Sequence, residues 1–227
     1  MIRKTVISVV VGMLLMPCGN LFAQSVYSNT HYHTVKQIQQ VLKETHQKHQ
    51  ATTRLITVAT SPGGEPVSVL EIGSNLKDVP AIFVGANFEG NIPVATEGAL
   101  KLIEMLIDSA HYSSALKWFI LPQPNPDAAK NFFSNIQYSR TVNDFEVNND
   151  ADEAVNEDGY EDLNGDGYIT QMRVKNLNGN HVVSKADPRM MVEANMANGE
   201  RGEYLIYSEG IDNDKDGAYN EDPQGGI

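Results

Sequence analysis

Ala86-Asn87-Phe88-Glu89-Gly90-Asn91-Ile92-Pro93-Val94 separates an apolar run, Ala81-Ile82-Phe83-Val84, from a stretch with helical periodicity, Thr96 to Ser109. The nine residues therefore read as a strand-to-helix turn. The run before them is continuous rather than alternating, which predicts a central strand covered on both faces. Leu100, Ile103, Leu106 and Ile107 recur at the spacing of a buried helical stripe. Lys117 to Leu121 is a second apolar run, ended by Pro122 and Pro124. A strand, a helix and a strand in that order place the chain in the α/β class, a mixed sheet flanked by helices.

Working outward, Val35, Ile38, Val41 and Leu42 predict an amphipathic helix from about Thr34 to His49. Leu55 to Thr60 and Val67 to Ile72 read as strands, and Ser61-Pro62-Gly63-Gly64 as the hairpin turn between them. Helical periodicity disappears after about Ser134, in a region rich in Asn, Asp and Gly. We read it as a long acidic, loop-rich insertion held by something other than a large apolar core.

The 227 residues suffice for one sizeable domain. The first 23 read as a secretory signal, with Arg3 and Lys4 preceding an apolar stretch from Thr5 to Met16. Leu21-Phe22-Ala23 is the expected cleavage site, which makes the protein secreted or periplasmic. Lipoprotein processing at Cys18, the sole cysteine, is the alternative, and Pro17 stands where a small residue is required. Cleavage after Ala23 leaves no thiol for a disulfide or a nucleophile. No later run is apolar and long enough to span a membrane.

The net charge of -12 is local. Ten acids and no Lys or Arg lie between Thr141 and Met172, and six acids against Lys215 lie between Glu209 and Asp222. Charge of that kind suits bound cations and opposes nucleic acid, whose phosphates need Lys and Arg. The acids are patterned. Asn148–Asp158 (NNDADEAVNED) and Asp212–Asp222 (DNDKDGAYNED) agree at seven of eleven places, and Asp162–Ile169 (DLNGDGYI) opens the same way. Side chains at positions 1, 3 and 5, a glycine at 6 and a carbonyl at 7 can converge on calcium. The candidate ligands are Asp150, Asp152 and Asp158; Asp162, Asn164 and Asp166; and Asp212, Asp214, Asp216 and Asp222, with Asn156 and Asn220 as further closing donors. Glu153 replaces the glycine in the first loop. Position 12 is Arg173 or Pro223 instead of Glu, so these are free-standing loops and not EF-hands. The other reading is a solvated acidic loop with no ion. His31, His33, His46 and His49 have spacings that permit zinc, but we read them as exposed histidines amid polar neighbours.

The turn at 86–94 resembles that of the carboxypeptidase A-like zinc carboxypeptidases, which carry His-Gly-Asn-Glu-Pro-Val between strand and helix. Gly90, Asn91, Pro93 and Val94 set the register, so Glu89 falls on the zinc-binding His slot and Ile92 on the Glu slot. Asn125-Pro126-Asp127, after the strand ending at Leu121, is similar to the family's Asn-Pro-Asp-Gly, with Ala128 for the glycine. Arg140 stands where family arginines clamp a peptide's C-terminal carboxylate, and Gly225-Gly226-Ile227 resembles the start of the Gly-Val-Asp-Leu-Asn-Arg-Asn-Phe segment.

The resemblance implies residues 24–140 as the N-terminal part of a carboxypeptidase-like domain, with 141–227 as the insertion leading into its remainder. It implies hydrolysis of C-terminal peptide bonds at zinc, on peptides or cell-wall peptides, with the second His and the general base expected beyond Ile227. Isoleucine cannot ligate a metal. A non-catalytic, calcium-stabilised peptide- or cell-wall-binding module with the same fold is therefore the alternative, and a purely structural calcium-loop protein the third reading.

Overall fold

The computed structural model describes residues 31–73, 78–109, 115–149, 151 and 154–226. The expected signal segment, Cys18, Asp150 and Asp152 lie outside the described residues.

Helix α1 (Val35–Lys48) begins where Thr34 and Gln37 cap each other reciprocally, and it buries Val35, Ile38 and Leu42. Strands β1 (Thr53–Thr60) and β2 (Pro66–Gly73) form the expected hairpin, antiparallel, with an irregularity between Thr57 and Ala59. Strand β3 (Ala81–Gly85) leads through the turn into α2 (Pro93–Asp108), and α2 into β4 (Lys117–Leu121). Pro93 suits the first helical position, where its missing N–H costs nothing. A short helix, α3 (Pro126–Phe132), follows β4.

The sheet order is β1-β2-β4-β3, antiparallel except for the β3–β4 pair. Ile38 and Leu42 of α1, Leu100, Ile103 and Leu106 of α2, and Leu70, Ile72 and Ile120 of the sheet make one apolar core. Val67, Val69 and Leu121 make a smaller second one. The expectation of a central, doubly covered β3 is corrected: among the described residues β3 is an outer strand, and Phe83 is 59% exposed. A short apolar run reports hydrophobicity, not its place in the strand order.

The acidic region after Thr141 is also more than loops. Strands β5 (Gln171–Lys175), β6 (His181–Val183), β7 (Met191–Glu193) and β8 (Tyr204–Ser208) form a second sheet, antiparallel, in the order β5-β8-β6-β7. It lacks a strong apolar signature because its side chains are half-buried or exposed, and two of its strands have three residues each. Tyr207 packs on Tyr219 with ring centroids 5.0 Å apart. The two ends of the described acidic region meet. A Cβ on Gly225 would lie 2.3 Å from the Asn143 carbonyl and one on Gly226 2.2 Å from Val147, so outgoing and returning chain run side by side.

Candidate functional site

Asn87 holds the turn from within. Its backbone takes a left-handed φ of 52°, which asparagine tolerates better than most residues. Its Oδ1 accepts from Ile92 N (2.9 Å), and its Nδ2 donates to Gly90 O and to Thr96 Oγ1 (both 3.1 Å). The Thr96 hydroxyl in turn donates to Pro122 O at 3.0 Å, tying the turn to the end of β4. Asn87, Thr96 and Gln123 are buried, so these bonds satisfy groups that water cannot reach. At Gly90 both reasons for glycine coincide: φ is +82°, and a Cβ would meet Ala128 Cβ at 2.6 Å and Asn125 O at 2.9 Å.

The turn thus lies against the start of α3. Asn125 caps that helix, its Oδ1 accepting from Ala128 N (3.1 Å), while its Nδ2 donates to Thr141 O (2.8 Å). Asn91 Nδ2 donates to Ser139 Oγ (3.2 Å). Residues 139–141 therefore bridge both elements. Glu89 is exposed and Ile92 is 45% exposed. Arg140 is only 7% exposed; its Nη2 donates to Asn143 O (2.9 Å) and pairs with Asp144 (2.5 Å). Its Nε is buried with no hydrogen-bond partner among the described residues.

Just past the Asn125 cap and Pro126, Asp127 joins three segments. Its carboxylate accepts from Ser61 Oγ (2.6 Å), Gly63 N (3.1 Å) and Asp144 N (3.1 Å). Burial pushes its pKa up, but the Ser61 hydroxyl, the two N–H groups and nearby Lys130 outweigh burial and hold it below the ordinary value.

The acidic loops share one design. In the loop at 162, Asp162 accepts from the N–H groups of Gly165, Asp166 and Gly167, and Asn164 from Asp166 N. The loop at 212 repeats this, Asp212 accepting from Lys215 N and Gly217 N, and Asp214 from Asp216 N. The carboxylates of Asp212, Asp214 and Asp216 offer ligand atoms within 4.8 Å of one another. The N–H of Asp216 lowers the Asp214 pKa, but burial and the charges of Asp216 and Asp212 leave it raised. Each of the three loops also receives one carboxylate from elsewhere, bridging its second and ninth positions. Asp158 holds Asn213 N and Asn220 N; Asp222 holds Asn149 N and Asn156 N; Glu209 holds Leu163 N and Thr170 N.

Of the expected closing donors, Asp158 and Asp222 are therefore occupied by backbone N–H groups. The loops run into β-structure, β5 after the second and β8 before the third, in keeping with free-standing loops. Glu209 and Glu221 were not foreseen. Glu209 has no repeat partner to mark it. Both Glu221 carboxylate oxygens are shielded and unpartnered among the described residues, and burial and the charges of Asp158 and Asp216 push its pKa up to about 7.

His31 and His49 are exposed as expected, but His33 and His46 are half-buried. His33 Nδ1 lies 2.9 Å from Glu97, and His46 Nδ1 lies 3.0 Å from Thr53 Oγ1. Glu97 reaches His33 only through the fold, 64 residues away in sequence.

The donor set at the turn does not fit zinc. Asp212, Asp214 and Asp216 are the only three or more His, Cys, Asp or Glu whose ligand atoms converge among the described residues. Glu89 supplies one carboxylate and Ile92 none, against the three protein donors a zinc site requires.

Residues 38–142 match the zinc carboxypeptidase family. Among solved structures, carboxypeptidase A from Helicoverpa armigera is similar at 20% identity and a TM-score of 0.44, over 45% of this chain and 27% of that one. Bovine thrombin-activatable fibrinolysis inhibitor, solved with tick carboxypeptidase inhibitor, is similar at 13% identity and 0.45, over 55% and 40%. A metallo-carboxypeptidase from Burkholderia cenocepacia is similar at 16% and 0.41, over 47% and 30%. The chain thus spans well under half the length of these structures. No curated protein matches it. Over residues 38–142, then, this chain is similar to the zinc carboxypeptidases, a family of hydrolases.

Proposed function

We propose that the chain is a secreted or periplasmic carboxypeptidase-family protein that binds the C-terminal end of peptides, cell-wall peptides included, with calcium ordering its acidic insertion. The observation that carries this reading is the meeting of the Glu89–Ile92 turn, the Asn125 cap and the 139–141 segment. Arg140 lies within that segment with an unsatisfied Nε. A guanidinium fork is the side chain best matched to a planar carboxylate, and the peptide terminus would take the place of Asp144 on it. On this reading these residues recognise a peptide, since Glu89 offers one carboxylate and Ile92 no ligand atom, short of the donors a zinc site requires.

Calorimetric titration with peptides bearing free or amidated C-termini tests this. The free acid is expected to bind at least about tenfold more tightly, the worth of one charge-assisted hydrogen bond, and Arg140→Lys to remove that preference. Equal binding of the two peptides would refute the reading. A second reading, hydrolysis, is favoured by the family match. Release of C-terminal residues that depends on added zinc would establish it.

For calcium, the convergence of Asp212, Asp214 and Asp216 supports binding. An ion held at a hundredfold over its dissociation constant stabilises by about 2.7 kcal/mol. Chelation is then expected to lower Tm by roughly 5–11 °C for a domain of this size. An unchanged melting curve would count against the calcium loops.

A further inference from the structure

The two matching segments, 148–158 and 212–222, are related in space as well as in sequence. Ala151 and Lys215, both fourth in their segment, have φ of 69° and 71°. Asn156 and Asn220, both ninth, have φ of 55° and 60°. Each segment ends in a buried aspartate that leaves its own loop and serves the other. Asp158 accepts from Asn213 N (2.6 Å) and Asn220 N (3.0 Å). Asp222 accepts from Asn149 N (2.9 Å) and Asn156 N (2.7 Å). The exchange is reciprocal position for position, second and ninth on both sides.

We propose that this exchange is a clasp that makes the two segments a single cooperative unit, neither keeping its conformation without the other. Asp158 and Asp222 are 1% and 0% exposed, so each carboxylate relies on these N–H groups rather than on water, and removing it takes both anchors from the opposite segment at once. Losing Asp158 frees the loop at 212, and with it Asp222 at that loop's end, which in turn frees Asn149 and Asn156. The same logic runs in reverse from Asp222. The clasp also reaches Arg140: Asn156 Oδ1 accepts from Gly225 N (3.2 Å), and a Cβ on Gly225 would lie 2.6 Å from Arg140 Nη2. The device is made of protein groups alone and does not rest on a bound cation.

Hydrogen exchange by mass spectrometry on the full chain tests it, comparing wild type with Asp158→Asn and Asp222→Asn, with calcium and again with chelator. Asparagine keeps the shape and one acceptor, so the fold survives. Each variant is expected to speed exchange on the order of tenfold or more in peptides covering both 149–156 and 213–220. Strands β5 and β8 are expected to keep their protection. Asp187→Asn, which breaks an exposed pair with Arg189 in the same region, is expected to change neither segment. Faster exchange confined to the segment that lost its acceptor would overturn the proposal. So would loss of protection throughout β5–β8, a matching effect from Asp187→Asn, or a wild type unprotected in both segments under both conditions.

Discussion

Gly90→Ala, set against Gly64→Ala, measures how tightly the turn at 86–94 seats on α3. Both glycines have φ of +82°, so alanine carries the same backbone penalty at each, about 1–2 kcal/mol. Their surroundings differ completely. At Gly64 a Cβ meets nothing within 4 Å, whereas at Gly90 it would fall 2.6 Å from Ala128 Cβ, 2.8 Å from Ala129 N and 2.9 Å from Asn125 O. Two of those three atoms are backbone and the third is a Cβ, so no flexible side chain can yield. Overpacking of this kind adds about 1–3 kcal/mol. The expected losses are therefore about 1–2 kcal/mol for Gly64→Ala and roughly 2–5 for Gly90→Ala, combining the two contributions. Thermal melting should place Gly90→Ala several degrees below Gly64→Ala, since about 1 kcal/mol is worth 2–4 °C at this length. Peptide binding should weaken only in Gly90→Ala. Equal melting temperatures for the two variants would show that turn and helix are not in contact as described, and the proposed peptide site would go with them.

Two other substitutions probe the buried carboxylates. Asp127→Asn should cost about 1–3 kcal/mol at neutral pH, because N–H groups of Gly63 and Asp144 share one carboxylate oxygen. Its depressed pKa means that this contribution is complete above the ordinary carboxylate value and fades as pH falls through the lower native one. Wild type and Asp127→Asn should thus converge in acid, and a constant gap in stability from neutral pH to about pH 2 would refute the assignment. Glu209→Gln should open the loop at 162 while leaving that at 212 protected, because Glu209 bridges Leu163, Asn164 and Thr170 only. Hydrogen exchange reads both loops in one experiment, and equal loss in both would contradict it.

Much of the first half of the fold was legible because its periodicities are strong. The stripe of Val35, Ile38 and Leu42, the Ser61–Gly64 turn and the runs at 67–72 and 117–121 each became the element expected, to within a few residues. Strand order was not legible, as β3 shows: adjacency in a sheet depends on partners distant in sequence. The second sheet escaped notice because its strands bury little, and β5 alternates half-buried with exposed residues around Arg173. In the acidic loops the repeat identified the positions that turn and converge. It did not reveal that Asp158 and Asp222 serve each other's segment, because proximity across 64 residues leaves no local pattern. Arg140 shows the same limit, its pairing with Asp144 and its contact with Gly225 being products of the fold.

The meeting of Asn143–Val147 with Gly225–Gly226 makes everything between them a cassette on a narrow stem. The chain entropy lost in closing such a stem grows only slowly with the length enclosed. Evolution, or an engineer, could lengthen, trim or exchange the cassette at little further cost. Only the stem is committed: a side chain at Gly225 would wedge its two strands apart and push directly on the arginine.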